Sequence, residues 1–290
     1  MWKKIKSTLI LKKIFNYADS KIKFKAIVYN KNIQRKFGLN LNDFKRFSGK
    51  YRVEEHGEIK EYNSYDNRLL FEGHCLNGKR NGIGKEYNEQ GELIFDGEYF
   101  NGKKWKGTEI IYDQDTGNLI FQCEYLNGIM DGEAKEYDKY NGDLLFVGKY
   151  LQGKRNGKGK EFKFINCEKT HYHHFLSNNI GKKIKIFEGE YLNGERIKGK
   201  EYNYNENLIY EGEYLNGKRN GKGKLYDIGT LSYEGELING LKNGKGIEYD
   251  RYNDIKYECE FLNGKKNGRG KEYNINKESE LLFEGEYLNN

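Results

Sequence analysis

Alternation of large apolar and charged positions, interrupted at fixed intervals by glycine, runs through most of the chain. In LIFDGEYF (93–100), Leu93, Phe95, Gly97 and Tyr99 fall on one side of an extended strand, with Asp96 and Glu98 on the other, because strand side chains point to opposite faces in turn. The same parity returns as Leu119, Phe121, Cys123, Tyr125, as Leu208, Tyr210, Gly212, Tyr214, and as Leu281, Phe283, Gly285, Tyr287. An Asn-Gly pair follows most of these strands and supplies the positive φ that a tight reversal requires. A Gly-x-Gly segment such as Gly82 and Gly84 then keeps the return strand thin where rings must fit. Each unit therefore reads as a β-hairpin with one aromatic face, and hairpins in series bury together what none buries alone.

The period confirms an array. The first aromatic of the motif stands at Phe71, Phe95, Phe121, Phe146, Phe187, Tyr210, Tyr233, Tyr257 and Phe283, at spacings of 24, 26, 25, 41, 23, 23, 24 and 26 residues. FSGKYRVEEHGEIKEYN, from Phe47, fits the frame without an Asn-Gly turn and reads as a degenerate first repeat. Two parts follow: residues 1–46, of another kind, and a repeat array over 47–290 with an insertion near 164–180.

Y-x-G-x-Y-x-N-G-x-x-x-G-x-G resembles the MORN (membrane occupation and recognition nexus) repeat. Tyr210, Gly212, Tyr214, Gly217, Gly221 and Gly223 match that pattern, as do Phe71, Gly73, Gly78, Gly82 and Gly84. Cys123 and Cys259 replace the first glycine, Ala134 replaces a fourth-position one, and Gly107 and Gly199 arrive one residue late. The closing aromatic, as at Tyr87 or Tyr273, has the parity of the face opposite the glycines. The resemblance implies a mainly β protein, an elongated, twisted antiparallel array used as a noncatalytic scaffold and associated with membranes or cell-cortex structures.

Composition agrees. Hydrophobic residues make up 36% and charged residues 33% of the chain, with 36 glycines and no proline, so burial is spread along the array instead of gathered in one deep core. Outward Glu211 and Glu213 against Lys222 and Lys224, and Glu72 against Lys85, read as a cross-strand charge ladder. Lys-rich loops at 77–85 and 216–224 also admit an anion-binding stripe. Nucleic acid is not expected: residues 47–290 hold 38 basic and 42 acidic residues, a net charge of −4.

Residues 1–46 carry 13 Lys or Arg against Asp19 and Asp43. Their apolar positions, among them Trp2, Ile5, Leu9, Ile10 and Ile14, follow helical spacing, so a small α-helical region is expected. ILKKIFNYA (10–18) resembles the first helix of an F-box, and AIVYNKNIQ (26–34) its Val-Cys-x-x-Trp segment, with Val28 matching, Tyr29 and Asn32 differing, and Lys6-Ser7 in place of Leu-Pro. That resemblance implies a ligase adaptor held by Ile10, Leu11, Ile14, Phe15 and Val28. The same basic helices also read as a contact with anionic lipid, or as a cap on the first hairpin. The longest apolar run, Leu9 to Leu11, is broken by Lys12 and Lys13, too short for a secretory or spanning segment. The expected location is cytoplasmic, with peripheral membrane contact as the variant.

Candidate chemistry is sparse. Cys167, His171, His173 and His174 gather in the insertion, but Cys-x3-His-x-His-His is no zinc-finger spacing, and a packed aromatic loop is the simpler reading. Cys75, Cys123 and Cys259 occupy inward repeat positions and read as small buried thiols. Glycine strings such as GKGKE (157–161) are not phosphate loops. No catalytic residue, cofactor or metal is expected, and the function read from sequence is a noncatalytic protein-interaction scaffold, a ubiquitin-ligase substrate adaptor where the F-box resemblance holds. The alternative is a peripheral membrane protein that binds anionic phospholipids through the basic helices and Lys-rich loops.

Overall fold

Two-residue turns set the architecture. The computed structural model describes residues 34–35, 49–165, 181–277 and 280–290. In it, Asn216 and Gly217 take φ values of 51° and 72°, the paired left-handed geometry whose twist matches that of the flanking strands. The first repeat keeps this geometry without Asn: His56 and Gly57 stand at 51° and 81°, so the degenerate repeat is a true hairpin. Among the described residues the chain forms nineteen strands.

The chain divides into two compact units, Met1–Ile110 with Tyr125–Gly128, and Ile111–Glu124 with Ile129–Asn290. The strands of the first are β1 (Lys50–Glu55), β2 (Glu58–Asn63), β3 (Leu69–Leu76), β4 (Lys79–Tyr87), β5 (Leu93–Phe100) and most of β6 (Lys103–Tyr112). After β7 (Leu119–Leu126), the second unit runs through β8 (Ile129–Tyr137), β9 (Leu144–Leu151), β10 (Lys154–Phe164), β11 (Lys183–Leu192) and β12 (Glu195–Tyr202). It continues with β13 (Leu208–Leu215), β14 (Lys218–Asp227), β15 (Thr230–Ile238), β16 (Leu241–Asp250), β17 (Ile255–Leu262), β18 (Lys265–Asn274) and β19 (Leu281–Tyr287). From β1 to β6 and again from β8 to β19, each strand pairs antiparallel with the next. Of residues 1–46 the described ones are Gln34 and Arg35, both helical; the rest of the expected helical region lies outside the described residues.

Although Cys259 stands opposite Gly246 and Gly270, and Ala134 opposite Gly148, glycine faces glycine across many of the ladders, as Gly73 with Gly84 and Gly212 with Gly223. That close approach makes room for the first aromatic of the same hairpin: a Cβ on Gly84 would stand 2.6 Å from the Phe71 ring, and one on Gly159 2.6 Å from Phe146. Phe71, Phe95, Phe146, Phe187, Tyr210 and Tyr233 are consequently fully buried. Rings meet edge to face both between neighbouring hairpins, Phe146 with Tyr191 at 5.4 Å and Phe187 with Tyr214 at 5.6 Å, and along one strand, Phe187 with Tyr191 at 5.6 Å and Tyr210 with Tyr214 at 5.3 Å. Each such pair adds about 0.5–1.5 kcal/mol beyond area burial. Cys123 and Cys259 are buried and Cys75 half-buried, all as free thiols.

Gly107 and Gly199 pair with Gly97 and Gly189, so they fill the second glycine's place in units shortened by one residue. The bulge that elsewhere spans Asn-Gly is there a single large residue, Trp105 or Ile197. Closing aromatics face outward as their parity predicts. A register shift precedes Tyr87, and its hydroxyl donates to the Glu72 carboxylate at 2.9 Å. Burial, then that bond and charge, push the Tyr87 phenol up to about 12.

Candidate interaction surfaces

The glycine-aromatic face is covered by a charge relay that the sequence reading did not find. The second residue after most turns is cationic and lies over the buried ring: Arg80 is 4.0 Å from the Phe71 centroid, Arg155 4.1 Å from Phe146, Arg196 4.2 Å from Phe187 and Arg219 4.8 Å from Tyr210. Its guanidinium then joins two glutamates of successive return strands. Arg155 clasps Glu136 through two 2.7 Å bonds and reaches Glu161 at 3.3 Å; Arg196 clasps Glu161 at 2.9 and 2.6 Å and reaches Glu201 at 3.4 Å; Arg219 continues to Glu201 at 2.7 Å. The first unit repeats the scheme, with Arg80 on Glu61 at 2.7 Å and on Glu86 at 2.9 Å, and Lys104 on Glu86 at 3.4 Å and Glu109 at 2.9 Å.

Phenols complete the relay. Tyr191 donates to Glu161 and Tyr150 to Glu136, both at 2.6 Å. Burial pushes the Glu61, Glu86 and Glu161 carboxyls up, but the hydrogen bonds and charges of their arginine partners outweigh it and hold all three below the ordinary range. Leu225, at the glutamate position of β14, instead packs against the aromatic core.

On the opposite face the expected ladder exists with its ion pairs displaced by one hairpin. Glu72 is opposite Lys85 and Glu211 opposite Lys224 in register. The closer charges, however, are Lys60 to Glu72, Lys85 to Asp96, Lys200 to Glu211 and Lys224 to Glu234, at 3.1 to 3.9 Å. Glu213 is not part of that ladder: its carboxylate accepts the backbone N–H of Lys222 at 3.1 Å across the bulge, as Glu124 does for Glu133 and Glu260 for Arg269. Of the cations in the Lys-rich loops, Arg80 and Arg219 belong to the relay and Lys85 and Lys224 to the ladder.

Within the second unit this outward face holds two grooves of opposite balance. One, of about 660 Å³, is lined by Lys149, Lys158, Lys160, Lys198 and Lys200 with Glu133, Glu188, Glu190 and Glu211. The other, of about 940 Å³, is lined by Glu234, Glu258, Glu260, Glu284 and Glu286 with Lys245, Arg269 and Lys271. In the first unit the turn between β5 and β6 carries an exposed aromatic pair, Phe100 and Trp105, with centroids 5.7 Å apart. Lys103 and Lys106 flank it in sequence.

Ile10, Leu11, Ile14, Phe15 and Val28, and the insertion residues Cys167, His171, His173 and His174, lie outside the described residues. Among the described residues no cluster of metal-ligating side chains occurs, and no helix is long and apolar enough to cross a membrane.

Comparison with known proteins matches the MORN repeat at residues 71–91, 146–162, 210–230, 233–251 and 257–276. No curated protein matches the chain. Among solved structures, a S. aureus TarM mutant in complex with fondaparinux, alpha-GlcNAc-glycerol and UDP is 13% identical at a TM-score of 0.23, covering 45% of this chain and 26% of its own. An alternansucrase in complex with isomaltononaose is 15% identical at 0.19, covering 80% and 16%. A protein of unknown function from Bacteroides caccae is 11% identical at 0.16, covering 83% and 93%. The chain thus spans about a quarter or less of the first two, and likenesses of this size carry no functional argument.

Proposed function

Because the chain is a MORN-repeat protein, we propose that it is a noncatalytic interaction scaffold whose outward, charge-patterned face receives protein partners. The observation that carries this reading is the pair of grooves in the second unit, one rich in lysine and the other in glutamate. A partner segment of matching polarity gains specificity from such a surface more than raw affinity. Proximity labelling or affinity purification with the full chain and with a Lys158→Glu/Lys198→Glu variant tests it. Partners of the wild type should be lost from the variant while its circular dichroism is unchanged; an identical partner set would sink the groove as the docking face.

Recruitment of a ligase adaptor through Ile10, Leu11, Ile14, Phe15 and Val28 is part of the proposal. The full chain should retain the adaptor in a pull-down, and Ile14→Asp/Phe15→Asp should abolish retention.

A second reading, peripheral binding to anionic lipid in a cytoplasmic setting, is favoured by the Phe100–Trp105 tip. Aromatic side chains beside lysine suit the polar-apolar boundary of a bilayer. Flotation with phosphatidylserine vesicles should fall at least about tenfold for Phe100→Ala/Trp105→Ala, a change of about 1.4 kcal/mol. Equal flotation of both proteins would remove the tip from consideration.

A further inference from the structure

Three consecutive hairpins of the second unit, β13–β14, β15–β16 and β17–β18, each set aliphatic side chains into solvent at their turns. Leu215, Ile238, Leu241 and Leu262 are 46–58% exposed. Across the turns Leu215 pairs with Lys218, Ile238 with Leu241, and Leu262 with Lys265. The three turns are tied to one another, because the second and third are each bonded to the hairpin before: Gly240 N–H donates to the Arg219 carbonyl and Gly264 N–H to the Lys242 carbonyl, both at 2.8 Å. With strands about 4.8 Å apart, the tips recur about every 9.5 Å.

Lysine outnumbers glutamate along this row, with Lys218, Lys222, Lys245 and Lys265 against Glu213, Glu236 and Glu260. The carboxylates of Glu213, Glu236 and Glu260 fold over the bulge glycines Gly221, Gly244 and Gly268, and two of them are engaged by backbone N–H groups there. Among the described residues Lys218, Lys222 and Lys245 make no ion pair. The row holds no aromatic side chain of the kind that anchors a protein at a lipid interface, which sets it apart from the Phe100–Trp105 tip.

We propose that this edge docks an acidic amphipathic α-helix of a protein partner. Seven residues of helix advance about 10.5 Å, close to the repeat of the tips, so one aliphatic residue per heptad meets one hairpin. The exposed aliphatic side chains make a shallow ridge of the sort that meshes with a helix surface. The Ile238–Leu241 pair supplies the centre of the contact, and the lysines form a rim that pairs with glutamates flanking the helix seam. The inference rests on the scaffold reading and gives it a partner class, at the edge instead of the groove.

The test uses the full chain and a labelled synthetic peptide of three heptads, with leucine at every seventh position and glutamate beside it, followed by fluorescence anisotropy. The acidic peptide should bind. Leu215→Ser/Ile238→Ser/Leu262→Ser should weaken binding at least about tenfold without altering circular dichroism. Lys218→Glu/Lys265→Glu should weaken the acidic peptide and gain affinity for its lysine counterpart, a reversal that a merely structural effect would not give. No binding, or binding indifferent to the row, overturns the proposal; so does row-dependent sedimentation with phosphatidylserine vesicles when the peptide does not bind. Lys158→Glu/Lys198→Glu should leave peptide binding unchanged, so the edge and the groove fail separately.

Discussion

Gly212→Val should destabilise the second unit by about 3 kcal/mol, the upper part of the range for overpacking a well-filled site. Valine suits strands, and propensity alone would make the change neutral or favourable by up to about 1 kcal/mol. The structure reverses that sign. A Cβ at this position would stand 2.6 Å from the Gly223 Cα and 2.7 Å from the Lys222 carbonyl oxygen, and backbone atoms cannot swing aside as a side chain does. The ladder would have to part or the Tyr210 ring leave its seat, disturbing its edge-to-face contact with Tyr214. Gly212→Ala should already impose most of the penalty, since the Cβ itself makes the clash. Urea denaturation followed by circular dichroism, with outward Glu211→Val as control, measures it. Stability of Gly212→Val within about 0.5 kcal/mol of the control would mean that ring-over-glycine packing does not hold the hairpins together.

The hairpin frame was legible because three independent signals coincide in each unit: period-two alternation, a turn pair suited to positive φ, and glycines at the positions a ring must cross. Parity alone placed Tyr87 on the outward face, and there it bonds Glu72. The same parity could have placed Glu161, two residues after Gly159, on the glycine face, where it meets Arg155 and Arg196. Sequence gives it no distinct signal, because charged residues are expected at the solvent and the outward Lys–Glu pattern already accounts for so many of them. Register set the other limit: sequence pairs Glu211 with Lys224 across a turn, but strand geometry brings Lys200 of the preceding hairpin within 3.5 Å. Interaction surfaces are less legible still, since an exposed Leu215 is ordinary in isolation and gains meaning only through the bonded turns that align it with Ile238 and Leu262.

Glu161→Gln should cost the second unit about 2–3 kcal/mol at neutral pH, below the range for stripping one partner from a fully buried ion pair because this site is only partly closed to water. The loss arises from what remains over the Phe146 and Phe187 rings: Arg196 loses its two-bond clasp and keeps only Glu201 at 3.4 Å, while Arg155 keeps Glu136, so two guanidiniums share one carboxylate fewer. The pH dependence identifies the cause. Burial raises the Glu161 carboxyl, but the bonds from Arg196 and Tyr191 lower it further, so its folded value lies below the ordinary 4.5. A group depressed in the folded state contributes its stabilisation above the unfolded value and loses it as pH falls through the folded one. Wild-type stability should therefore be nearly level above about pH 5 and decline below about 4.5, with Glu61 and Glu86 contributing in the same sense in the first unit. Glu161→Gln should start lower and decline less steeply, so that the two curves converge in acid. Parallel curves across that window, measured by urea denaturation from neutral pH into acid, would show that the carboxylate is a solvated bystander, and the relay would then be packing alone.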